Sequence, residues 1–143
     1  MRRGISFVIT VIALGFAAPS GYAGISNLRG WDYREVDYYT NPEKWTALGS
    51  DIDGEVGHPL TVQGPGADCP PSGHWSANGS VISGTLPPGL TLDDGWTISG
   101  IPKERGHWIV TMELSGITCN DAFYNSVTQQ LRFHITGTGK VIE

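Results

Sequence analysis

The chain predicts an all-β domain built as an antiparallel β-sandwich, and three observations carry that prediction. Between Leu86 and Met112, Gly and Pro recur too often to leave room for a helix of ordinary length, so the run reads turn, strand, turn, strand. Residues 107–114 and 127–135 alternate apolar and polar side chains with the period of a half-buried strand. Once the first 23 residues are set aside, the chain has the length of one domain with one core.

Residues 1–23 read as a secretory signal peptide. Arg2 and Arg3 give a basic start, residues 5–18 are almost uninterruptedly apolar, and Pro19-Ser20-Gly21-Tyr22-Ala23 ends in small residues suited to cleavage after Ala23. An uncleaved anchor is the alternative, but the apolar run falls short of the roughly 20 residues that span a bilayer. After cleavage no membrane span is expected. The paired arginines match a twin-arginine signal poorly.

Residues 24–50 form an aromatic N-terminal extension holding Trp31, Tyr33, Tyr38, Tyr39 and Trp45. Asn41 as a cap, Pro42 at the first helical position and Gly49 as a stop predict a short helix over 42–48. Residues 51–143 are the sandwich. A strand over 58–63 is stopped by Gly64-Pro65-Gly66, and a loop runs through Cys69-Pro70-Pro71. A second strand over 73–77 centres on Trp75 and ends at Asn78-Gly79, a dipeptide suited to a tight turn, before Val81-Ile82 resumes the pattern. Pro87-Pro88 cannot donate ladder hydrogen bonds, so residues 86–90 cross irregularly, their leucines plugging the core. Trp108, Val110, Met112 and Leu114 then face inward, as do Val127, Leu131, Phe133 and Ile135, with a long loop over 115–126 between the two strands.

Charge and cysteine use bound the partners and the compartment. Losing Arg2 and Arg3 takes the formal net charge from −5 to −7, and such a surface is repelled by phosphate backbones and anionic membranes, so nucleic acid is excluded as a partner. Cys69 and Cys119 both lie in the exported part and are expected to form a disulfide, since their spacing is unlike that of a redox pair. A pair of reactive thiols is the alternative.

The run Leu86-Pro87-Pro88-Gly89-Leu90-Thr91-Leu92, then Ile98-Ser99-Gly100-Ile101-Pro102, then Gly106-His107-Trp108-Ile109-Val110-Thr111-Met112, resembles the Ig-like, cadherin-like domain of bacterial surface and secreted proteins, akin to the dystroglycan-type module. The resemblance covers roughly residues 54–136 and implies an Ig-like sandwich without naming a ligand. This chain has one copy behind an aromatic extension. After Leu114 it carries Ser115-Gly116-Ile117-Thr118-Cys119 in place of an acidic strand-end motif, so calcium binding of the cadherin type is not implied.

Several constellations point to chemistry. Asp51-Ile52-Asp53-Gly54 and Asp93-Asp94-Gly95 are read as turn-forming, without the terminal Glu of an EF-hand. If Leu114 faces Val127, then His107 faces His134 on the outer surface, a pair that is either solvated or shares a metal ion. No nucleophile sits in the context a hydrolase needs, and no cofactor motif appears, so neither an enzyme nor a cofactor is expected. Trp75 and Trp108 are expected to serve the core. The extension's Trp31, Tyr33, Tyr38, Tyr39 and Trp45 either fold back or act, with the loop around Cys119, as contact residues. The expected function is a secreted or periplasmic, non-catalytic module at the cell surface that binds a protein partner or assembles with its own kind. The alternative is a carbohydrate-binding module using exposed Trp and Tyr.

Overall fold

A computed structural model describes residues 24–36, 43, 45, 49–71 and 73–138. The expected signal segment, Tyr38 and Tyr39 lie outside the described residues. Of the expected 42–48 helix, Glu43 and Trp45 are described, and both are helical.

The fold is all-β and its sheets are mostly antiparallel. Three strands, β1 (Asn27–Arg29), β2 (Glu35–Val36) and β5 (Gly66–Asp68), form one sheet in the order β2-β1-β5. A second joins β4 (Leu60–Val62), β8 (Thr97–Gly100) and β7 (Leu90–Asp93) in the order β4-β8-β7. The largest is built on β9 (Gly106–Cys119), flanked on one side by β6 (Trp75–Ser83) and on the other by β11 (Val127–Thr136) and β10 (Ala122–Tyr124). Beyond β11 lies β3 (Ser50–Glu55), which pairs with it in parallel.

The inward faces meet in one core. Val110, Met112 and Leu114 on β9 and Leu131, Phe133 and Ile135 on β11 pack with Val62, Leu90 and Ile98 of the β4-β8-β7 sheet and with Leu28 of β1. Leu114 stands opposite Val127, so the outward His107 stands opposite His134. Trp75 and Trp108 are half-buried against this core. Gly89 and Gly100 explain the spacing of the Leu-Pro-Pro-Gly-Leu and Ile-Ser-Gly motifs. A β-carbon on Gly100 would strike the Gly89 carbonyl and one on Gly89 the Ile101 carbonyl, so the two backbones close only as glycine.

Four expectations are corrected. Asn78-Gly79 is not a turn, because β6 runs straight through it. Gly79 is there for close approach: a β-carbon would run into the Gly95 carbonyl and the Trp31 indole. The tight turn lies at Asn120-Asp121, both at positive φ (51° and 71°), within what was read as a long loop over 115–126. β9 reaches Cys119, which pairs with Ala122 directly across that turn, as in a two-residue type I′ hairpin. A bulge disguised the strand: Ser76 faces Thr118 but Asn78 faces Ser115, so β9 carries an extra residue around Gly116 (φ 60°) and the alternation changes phase.

The third correction is at Asp51 and Asp53, which are not turn residues but outward positions of β3 on either side of the buried Ile52. Pairing with an established strand, β11, holds this segment extended. The fourth is in the loop read after Gly64, where residues 66–68 are a strand, β5, recruited by β1 of the extension.

Candidate functional site

The extension is bound into the core by its two tryptophans. β1 and β2 form a hairpin whose tip carries Trp31, and the indole is fully buried at 0% exposure, beneath Gly79. Trp45 is buried as well, at 1%. Expected among the contact residues, Trp31 and Trp45 are core residues instead. A large indole turned inward supplies one of the largest apolar areas a side chain can remove from water. Of the other extension aromatics, Tyr33 is half exposed just beyond the tip.

A buried amide holds that tip. Gln129, 2% exposed, accepts the Trp31 backbone N–H through Oε1 at 2.9 Å and donates through Nε2 to the Trp31 carbonyl at 3.3 Å and to Ser50 Oγ at 2.8 Å. The Asp32 amide adds a bond to the Gln63 carbonyl at 2.8 Å. Beside this lies the Asp32 carboxyl, which burial pushes above the usual carboxylate range against the opposing pull of the Arg34 charge and a Ser50 hydrogen bond. Arg34 Nε stands 3.5 Å from Asp32 Oδ1, an ion pair without a hydrogen bond to that oxygen. Sequence reasoning passed over Gln129, although its parity places it on the inward face with Val127 and Leu131.

At the far end of β9 the residues turn toward solvent. Cys69 and Cys119 form a disulfide with Cα atoms 5.8 Å apart, tying the segment before β6 to the end of β9. Asn120 braces this junction by donating Nδ2 to the Pro70 carbonyl at 2.8 Å and its amide to the His74 carbonyl at 3.3 Å. Beside the bridge is a groove of about 390 Å³ lined by His74, Trp75, Ser76, Thr118, Asn120 and Asp121. Ser76 and Thr118 hydroxyls meet across its floor at 2.7 Å, and Trp75 packs edge-to-face on Trp96 with centroids 5.2 Å apart. Thr118 faces Phe123 across the β9-β10 ladder, and Phe123 is 81% exposed. Sequence reasoning placed contacts near Cys119 but did not single out Phe123, because a residue in a presumed loop carries no facing.

The outer face of the large sheet holds the ionic residues. Arg132 clasps Asp51 through Nε to Oδ1 at 2.7 Å and Nη2 to Oδ2 at 3.3 Å, and this hydrogen-bonded guanidinium holds the Asp51 carboxyl below its ordinary value. On the β2-β1-β5 sheet, a hydrogen bond from Asn27 does the same for Asp68, with Arg29 adding to it. His107 and His134 touch edge-to-face, with centroids 4.4 Å apart at 83°. Among the described residues no group of three or more His, Cys, Asp or Glu is arranged to hold a metal ion, and no helix is long and apolar enough to cross a membrane. No protein-family model matches the chain, and no curated protein matches it.

Proposed function

We propose that this chain is a secreted or periplasmic, non-catalytic Ig-like module that binds a protein partner through the disulfide-bonded end of its sandwich. The observation that carries the reading is Phe123, a large apolar ring left 81% exposed on a hairpin that begins at Cys119 of the disulfide. An aromatic held on a stiff turn loses little freedom on docking, and such anchors concentrate interface energy. Asp121 in the same turn, together with the acidic balance of the chain, favours a partner with an apolar pocket rimmed by Lys or Arg. The disulfide supports an oxidising compartment, and the signal-like residues 1–23 support export. The Pro-Gly motif chain and the mostly antiparallel sheets support the Ig-like reading.

The test uses residues 24–143 as bait against an envelope extract of the source organism, beside the Phe123→Ser variant and at low and high salt. A partner held by the parent chain, lost on Phe123→Ser and weakened by salt is expected; equal retention by both chains refutes the surface assignment. The second reading, carbohydrate binding, draws on Trp75, which lines the groove with the Ser76 and Thr118 hydroxyls and the Asn120 amide. Saccharide binding that quenches indole emission and ignores Phe123→Ser would favour it over the first.

A further inference from the structure

We propose that His107 and His134 form a surface site for a borderline divalent transition metal of the zinc or copper class, closed by the carboxylate of Asp53. This inference is independent of the binding surface proposed above. Both histidines point to the outer side of the large sheet, directly opposite one another in the antiparallel β9-β11 register. The parallel pairing of β11 with β3 then sets Asp53 opposite His134, so one row reads His107, His134, Asp53 across three adjacent strands. That third position was invisible in the sequence, where residues 51–54 read as a turn.

Cross-strand neighbours on one face stand about 4.5–5.5 Å apart at Cβ, and zinc takes imidazole nitrogen at about 2.0–2.1 Å. The rings, with centroids already 4.4 Å apart, can therefore share an ion by turning about their own side-chain bonds, without backbone movement. As they stand, no three of the described His, Cys, Asp and Glu residues close on a point. Asp53 reaches the ion by rotating toward His134, and water completes the shell. Two imidazole nitrogens and one carboxylate oxygen suit zinc or copper, whereas calcium and magnesium take all-oxygen shells. Arg132, two residues from His134, is held by Asp51, and exposed Asp53 and Glu55 keep that edge of the row acidic. His134 sits on a strand paired along both edges, and His107 is held directly against it in the β9-β11 ladder, which limits the freedom lost when a metal binds.

Isothermal titration of the full chain with Zn²⁺ and with Cu²⁺ tests the site, beside His107→Gln, His134→Gln, Asp53→Asn and His58→Gln. The proposal expects one saturable equivalent, a loss of affinity of at least about tenfold on removing either ring, a several-fold loss for Asp53→Asn, and no change for His58→Gln. No saturable binding, or binding that survives His107→Gln and His134→Gln unchanged, overturns it. A second measurement needs no variant: on adding Zn²⁺, the imidazole NMR signals of His107 and His134 should shift before those of His58 and His74. All four shifting together would overturn the proposal equally.

Discussion

Replacing Gln129 with Met tests whether the buried amide fastens the extension to the sandwich. Met nearly matches the volume of Gln but can neither accept nor donate in its place, so the Trp31 N–H loses its 2.9 Å acceptor and the Trp31 carbonyl and Ser50 hydroxyl lose their donor. With the site 2% exposed, water cannot replace those bonds. The two groups that lose the shorter bonds each cost about 1–2 kcal/mol, the lower part of the usual range for an unsatisfied buried group, and the 3.3 Å bond to the carbonyl adds little, so the sum is about 2–4 kcal/mol. That is a large part of the roughly 5–15 kcal/mol that holds a domain folded. At about 4 °C per kcal/mol for a domain of this size, Tm should fall by about 8–16 °C. Calorimetry gives the total, and amide exchange at Trp31 gives the place, because its protection comes from this side chain and not from a strand partner. Gln129→Glu should be worse, since a carboxylate restores one acceptor but buries a charge and donates nothing. A Gln129→Met protein with Tm within about 3 °C of the parent and an equally protected Trp31 amide would refute the reasoning.

Two further predictions follow from the same structure. The Cys69–Cys119 bridge closes a separation of 50 residues, worth about 4 kcal/mol in the chain-entropy account; the Cys69→Ala, Cys119→Ala double variant should therefore melt about 15 °C lower, and a drop under about 5 °C in calorimetry would show the bridge to be incidental. Burial raises the Asp32 carboxyl above its ordinary value, so between the unfolded and folded values the native state binds more proton and the contribution of Asp32 to stability falls as pH rises. Asp51 and Asp68, held low, act in the opposite sense, their stabilisation being present above the ordinary carboxylate value and lost as pH falls. Asp32→Asn, which tolerates the local φ of 63°, should thus leave the urea midpoint at neutral pH unchanged or higher while Asp51→Asn lowers it. A lower midpoint for Asp32→Asn would show that the Arg34 ion pair outweighs burial.

Much of the sandwich was legible because its signals are local. The alternation over 107–114 and 127–135 identified the inward faces, and the conditional pairing of Leu114 with Val127, which the structure has, carries His107 to His134 because one paired position determines all the others. What failed was whatever depends on a distant partner. Asp51 and Asp53 look like turn residues until β11 offers them a parallel edge, and Asn78-Gly79 looks like a turn until Trp31 and Gly95 are seen to need the missing β-carbon. The bulge at Gly116 hid the second half of β9, because a change of phase in the alternation is indistinguishable in sequence from the end of a strand. Phe123 was lost with it: a facing can be assigned only once the hairpin is known.

The placement of the aromatics bears on where the proposed contact surface lies. Trp31 and Trp45 are buried, and Trp75, Trp96 and Trp108 pack against the same core, so each has a reason within the fold. Phe123 has none. It follows a tight turn that Asn120-Asp121 forms without it, and across the ladder it faces Thr118, whose hydroxyl already has Ser76. An apolar ring on an outlying hairpin invites unwanted strand pairing and lends the native state little apolar burial in return. Its exposure beside a groove at the disulfide-bonded end of the fold supports the proposed contact surface. The core has taken the extension's two indoles, and the proposed contact surface is therefore placed at the disulfide end.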